Sequence, residues 1–189
     1  MAEKRFSNVA GFDDAPFERE HQGRVPIVGT VYAGLRFDGV LMGEVEKDGS
    51  DAARQIAGLV ENSRFAGHIQ LVLLQGIALA GFNVVDVFAL HERLHMPVLV
   101  ISRRQPDMER IRSVLKTRIP GGDKKWAVIE RLGEMEPLAR VFVQRAGLSR
   151  EQASRVLRQF AVYGNIPEPL RTAHIIAGAL VYGQSRGSV

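Results

Sequence analysis

With 189 residues and 46% hydrophobic content, the chain is long enough for one compact domain with a full core and too short for two of ordinary size, so residues 1–189 are expected to form a single domain. The absence of cysteine excludes disulfides, thiolate metal sites and cysteine nucleophiles. The net charge of +4 is modest, no apolar run approaches the length of a membrane span, and the charged N-terminus has no signal-peptide core, which together lead to the expectation of a cytoplasmic protein without membrane contact.

The first element is a short strand in "NVAGFDDAPFE", residues 8–18, which ends in Asp13 and Asp14. Two adjacent carboxylates repel one another and resist burial unless a cation or a set of donors compensates. Asp is also common in the turns that follow strands, so a turn pair is the plain alternative. Val25 to Tyr32 and Val40 to Val45 then form an antiparallel hairpin around a turn near Gly34 to Asp38. In "SDAARQIAGLVENSRF", residues 50–65, Ile56, Leu59, Val60 and Ser63 fall at helical spacing behind Ser50 as N-cap.

Ile69 to Leu74 is a nearly continuous apolar run, as in a strand covered on both faces. "NVVDVFALHERL" (83–94) reads as a helix, with Asn83 as its cap and Asp86 in the first turn, and "MPVLVIS" (96–102) as a second buried strand in a parallel crossover. Gly76 and Gly81 permit close backbone approach to a ligand at the strand ends, although "GIALAGFN" is no phosphate-loop motif. "DMERIRSVLKTRI" (107–119) is a basic amphipathic helix. The stretch from Arg103 to Lys125 holds eight basic and three acidic residues, a larger surplus than that of the whole chain. Such a run is either a solvated helix face or a surface for a polyanion. Met42, Phe65, Phe82 and Trp126 read as packing residues.

The remainder supplies a helix at "KKWAVIERLG" (124–133), a strand-like "ARVFVQRAG" (139–147) and a helix "REQASRVLRQFAVYG" (150–164) behind the capping box of Ser149 and Gln152. "NIPEPLRTAHIIAGALVYGQ" (165–184) is a proline-set turn entering a last helix, with Pro169 in its first turn. The first few residues and "QSRGSV" (184–189) are expected to fray. This order matches an α/β, ribonuclease-H-like fold: a mixed five-stranded sheet, three antiparallel strands and then parallel strand-helix units, with helices on both faces. In that architecture the first and fourth strands are neighbours, and Asp13 meets the end of "LVLLQG".

"AGFDDAPF", "LLQGIALAGFNVVD", "MPVLVISRR" and "IPEPLRTAHIIAG" together resemble an uncharacterised, mainly archaeal, endonuclease V-like family, domain of unknown function 99, over nearly the whole chain. The more distant resemblance is to endonuclease V, which implies a magnesium-dependent nuclease acting near deaminated bases. It puts Asp13 at the catalytic, metal-binding strand end with Asp14 beside it. His174, one turn after the Pro-Glu-Pro run, falls at a position that faces the metal site. The chain departs from endonuclease V at Gln75, where an aspartate would stand, and a neutral amide binds a hard cation more weakly than a carboxylate. The catalytic glutamate between third strand and first helix has no match; Asp48 and Asp51 are candidates there by position and chemistry. Both also suit a helix cap.

Arg103 roughly matches a lysine of endonuclease V, and the inosine-pocket and wedge segments have no counterpart. The expectation is therefore a nuclease on DNA or RNA phosphodiesters, with Mg²⁺ or Mn²⁺ on Asp13, Asp14, Asp48 and Asp51. Asp13, Asp51 and His174 would be catalytic, and Arg103, Arg104 and Lys116 would steer the phosphate backbone. The alternative is an inactive nucleic-acid-binding protein of the same fold. A helix-turn-helix reading of the last two helices is disfavoured by their proline-rich connection.

Overall fold

β1 (Asn8–Asp14) is the short apolar run that ends in the aspartate pair, and the computed structural model describes residues 5–185 around it. β2 (Arg24–Ala33) and β3 (Arg36–Glu46) follow as the expected antiparallel hairpin, with Asp13 opposite Val28. After α1 (Ala52–Glu61), β4 (Leu71–Gln75) runs parallel to β1 with Phe12 opposite Leu74, so Gln75 ends β4 beside the end of β1 that carries Asp13.

A two-stranded ribbon comes next, β5 (Ala78–Leu79) and β6 (Asn83–Val84), then α2 (Val87–Leu94) and the parallel strand β7 (Val98–Ser102). α3 (Met108–Arg118) and α4 (Gly122–Leu132) lead to the antiparallel pair β8 (Glu136–Leu138) and β9 (Val141–Ala146), and α5 (Arg150–Phe160) and α6 (Glu168–Tyr182) complete the described chain. The expected fraying of the first residues and of 186–189 lies outside the described residues.

The main sheet has seven strands in the order β3-β2-β1-β4-β7-β9-β8, not the five expected. The additional pair joins antiparallel, β9 pairing with β7. β8 spans only three residues and includes Pro137, too short a run to give a periodic signal. Residues 83–86 also differ from expectation. Asn83 lies in the β5–β6 ribbon, and Asp86 caps α2 by accepting the Ala89 N–H at 3.0 Å. α1 begins behind Asp51 rather than Ser50, and its first free N–H, that of Ala52, donates to Asn83 Oδ1 at 3.0 Å.

Side chains of the central strands alternate between two cores, as the two-residue period of a strand requires. Ala10, Phe12, Val72 and Leu74 pack with Ile56 and Val60 of α1 and Leu90 of α2. Val9, Leu71 and Leu73 pack with Val156, Leu157 and Phe160 of α5 and with Leu170 of α6. Among the described residues no helix is long and apolar enough to cross a membrane.

The N-terminus of α6 lies directly on β1 and β2. Thr30 Oγ1, fully buried, donates to the Pro169 carbonyl at 2.6 Å, and Tyr32 and Thr172 share a hydroxyl hydrogen bond of 2.7 Å. Gly11 makes this approach possible, because a Cβ there would stand 2.8 Å from both the carbonyl carbon and the Cβ of Pro169. Both contacts are backbone or ring, so neither can swing aside. Gly11→Ala is therefore expected to cost about 1–3 kcal/mol in denaturant unfolding and to shift His174 from its partner, seen as a lowered imidazole pKa in an NMR titration.

Candidate active site at the ends of β1 and β4

Asp13 is 4% exposed at the end of β1, and each of its oxygens has a donor. His174 Nδ1–H donates to Oδ2 at 2.8 Å, and the Asp14 backbone N–H donates to Oδ1 at 3.0 Å. The imidazole is itself half-exposed. Its pKa is raised, first by the hydrogen bond to Asp13; burial opposes this, the Asp13 charge adds to it, and the positive charge of nearby Arg103 works against it. Arg103, just beyond β7, thus stands close enough to act on the same site.

Asp14, the last residue of β1, is half-buried. Its Oδ2 accepts the Ala80 N–H at 2.8 Å, tying β1 to the β5–β6 turn. Burial first, and the Asp13 charge second, push its pKa up to about 7. The backbone donors from Ala80 and Asp14 itself only partly offset this. The adjacent carboxylates of the sequence are therefore a strained pair, which is tolerated at neutral pH only with a proton or a cation to hand.

Gln75 adds a further unsatisfied group. Its Oε1 is buried without a hydrogen-bond partner. An orphaned buried acceptor costs about 1–3 kcal/mol, and this one ends the strand adjoining β1. Asp13 and Asp14 end β1, and Gln75 ends the adjoining β4. Among the described residues, no three histidine, aspartate or glutamate side chains form a group able to hold a metal ion. Two carboxylates and a neutral amide are the oxygen donors these strand ends could offer a hard cation.

Asp48 and Asp51 occupy a neighbouring network in which donors already take up their carboxylates. Asp48, in the left-handed region at φ 53°, accepts the Phe82 N–H at 2.8 Å, and its own N–H donates to the Ala80 carbonyl. Asp51 accepts from Asn83 Nδ2 at 2.7 Å, the Glu46 N–H at 3.1 Å and Gln55 at 3.2 Å, with Arg24 at 3.4 Å. Burial disfavours its charge, but these donors outweigh burial and hold its pKa below the usual range. Lys125, expected as part of a basic surface, is 5% exposed and donates to the carbonyls of Phe82, at 2.9 Å, and Asp48. Asp48, Asp51, Asn83 and Lys125 therefore fasten the β5–β6 ribbon, and that ribbon presents Ala80 N–H to Asp14. Of the other expected phosphate contacts, Lys116 Nζ lies 4.0 Å from Asp123, and the Arg104 carbonyl accepts from Ser102.

The acid pair gives stability a definite pH dependence in the absence of a cation. Asp14 binds its proton more tightly folded than unfolded, so stability falls as pH rises from about 4 to about 7 and is level above that. The raised His174 pKa acts in the same direction: its contribution is complete below the unfolded value and is lost as pH rises through the folded one. Asp14→Asn keeps an acceptor for Ala80 but removes the charge. In EDTA, the variant should exceed the parent in Tm by a margin that widens between pH 4 and pH 7, reaching on the order of 10 °C at pH 8; thermal melts across pH measure it.

Comparison with known proteins agrees with this fold. The endonuclease dU family matches residues 5–181. A UPF0215 protein of Deinococcus radiodurans is 54% identical over 183 residues, covering 97% of this chain and 93% of its own, and a UPF0215 protein of Methanothermobacter thermautotrophicus is 42% identical, covering 95% and 90%. A crystal structure of a protein of unknown function from Archaeoglobus fulgidus superimposes with a TM-score of 0.86 at 32% identity, over 93% of this chain and 99% of that one. Human endonuclease V shares the fold at a TM-score of 0.57 and 18% identity, over 91% of this chain and 83% of that one. Endonuclease V of Ciona intestinalis, bound to a 24mer DNA containing an inosine followed by a ribo-adenosine, does so at 0.57 and 12%, over 89% and 83%. This chain belongs to the endonuclease dU family.

Proposed function

We propose that this chain is a divalent-metal-dependent endonuclease hydrolysing phosphodiester bonds of DNA or RNA. Deoxyuridine-bearing DNA, after which its family is named, is the first substrate class to consider. The observation that carries the reading is the Asp13–Asp14 pair, with Asp14 pushed up to about 7, set beside an imidazole and an arginine at open strand ends. Mg²⁺ or Mn²⁺ bound by Asp13 and Asp14, with the Gln75 carbonyl as a neutral oxygen, would relieve that repulsion and complete the orphaned acceptor. Such an ion, when bound, lowers the pKa of a water and offsets charge on a phosphoryl oxygen.

The protein groups have separable tasks in this reading. Asp13 fixes the Nδ1 side of His174, which leaves Nε2 to accept a proton from the attacking water or deliver one to the leaving oxygen. Arg103 offsets phosphate charge, and Arg104 and Lys116 extend the positive surface along the backbone. Asp48 and Asp51 contribute through the ribbon that holds Ala80 against Asp14, and residues 1–189 act as one domain. A nucleic-acid-binding protein without catalysis is the second reading. It is favoured by the neutral Gln75 and by the lack, among the described residues, of a three-residue metal cluster.

Labelled single- and double-stranded DNA containing deoxyuridine or inosine, and RNA counterparts, incubated with Mn²⁺ or with EDTA, separate the two. Cleavage that needs Mn²⁺ and falls by about 10²-fold or more in Asp13→Asn is the expected result. Binding that survives EDTA, with no cleavage of any strand, would overturn the enzyme in favour of the second reading. Gln75→Asp should raise the apparent Mn²⁺ affinity about tenfold or more, as judged by the metal concentration that gives half-maximal thermal stabilisation.

A further inference from the structure

The positive surface anticipated between Arg103 and Lys125 is partly taken up inside the fold. Lys125 is buried, Arg112 lies 5.4 Å over the Trp126 ring, and Lys116 stands 4.0 Å from Asp123. A second basic surface forms on α5, where it is not legible as a run of charges. Arg155 and Arg158, one turn apart on the helix, both line two adjoining depressions of about 330 and 400 Å³. Arg5 completes the first depression and Arg150 the second. Among the described residues, Glu151 is the one acidic residue lining either depression. Arg150 is held by Glu136 at 2.6 Å, whereas Arg158 donates to the Ser154 hydroxyl, a neutral partner that leaves its charge uncompensated by that bond.

The spacing suits a polyanion with regularly placed charges. Side chains three or four residues apart on a helix stand about 5–6 Å from one another, similar to the separation of successive phosphates along a strand. Guanidinium groups also match phosphate oxygens in pairs. Arg5 precedes β1 and Asp13 is its penultimate residue. The eight residue steps of near-extended chain from one to the other span at most roughly 26 Å. A duplex advances about 3.4 Å per base pair, so the α5 surface lies up to about eight base pairs from the strand ends.

We infer that the α5 face, through Arg158 with Arg5 beside it, binds the phosphate backbone of the nucleic acid whose reacting phosphodiester sits at Asp13 and Asp14. The inference rests on the nucleic-acid reading above and adds a location and a footprint to it. The contact is independent of sequence and of metal. It strengthens binding most when the nucleic acid is long enough to reach from the strand ends to α5.

Fluorescence anisotropy in EDTA, with a labelled duplex of roughly 30 base pairs and a labelled hairpin of roughly 6, across a range of salt concentrations, tests it. Both Arg5 and Arg158 are exposed, so Arg5→Gln combined with Arg158→Gln should leave the thermal melt unchanged. The double variant is expected to bind the long duplex about tenfold more weakly and to lower the salt slope by about 2, one per arginine. The short hairpin, which cannot span both surfaces, should show a smaller loss of affinity in the double variant, and Arg158→Lys should retain most of the slope. Equal slopes for wild type and double variant on the long duplex would overturn the inference while leaving the nuclease reading intact. Failure of the wild type to bind the long duplex in EDTA would also overturn the inference, while the nuclease reading is judged separately by Mn²⁺-dependent cleavage.

Discussion

The first turn of α6 is held on the sheet by the Thr30 hydroxyl on the Pro169 carbonyl, by the Tyr32–Thr172 pair and by the space left at Gly11, and each group at the candidate site takes its place from that docking. It carries His174 across the sheet to Asp13, 161 residues away in sequence. It also covers the face of β1 to which Asp13 belongs and so removes that carboxylate from water. The parallel pairing of β1 with β4 adds Gln75, and the β5–β6 ribbon adds a single backbone donor, that of Ala80.

The result is a site with more negative than positive character at close range. Asp13 has an imidazole and a backbone donor, while Asp14 has a backbone N–H and a neighbour of its own sign. Folding energy from the two cores on either side of the sheet holds the pair together despite that repulsion, as is common where a binding site is pre-formed at some cost to stability. The surrounding network is different in kind. Asp48, Asp51, Asn83 and Lys125 satisfy one another and the backbone almost completely, which gives the ribbon the rigidity to keep Ala80 in place.

Much of this arrangement is legible in the sequence because it follows from element order and local chemistry. Three strands, a helix and an apolar run are enough to set the first and fourth strands side by side, which makes Asp13 and Gln75 neighbours. His174 is implied by the resemblance of the Pro-Glu-Pro segment to that of endonuclease V, not by element order. What escaped was set by tertiary contacts without a local signature. β8 is too short to show alternation, and Asn83 caps α1 from 31 residues away instead of capping the helix that follows it. Lys125 counts as a surface charge in a linear reading, yet it is buried under two carbonyls. The α5 arginines form no run; only the helix brings Arg155 and Arg158 together and only the fold adds Arg5.

The account stands on the strand-end carboxylates serving as a cation site. An anomalous difference map from crystals soaked in Mn²⁺ addresses this most directly. The account predicts one strong peak about 2.0–2.3 Å from oxygens of both Asp13 and Asp14, with the Gln75 carbonyl turned toward it and the peak lost in Asp13→Asn. A map with no peak there at saturating Mn²⁺, or with manganese bound only elsewhere on the molecule, would contradict it.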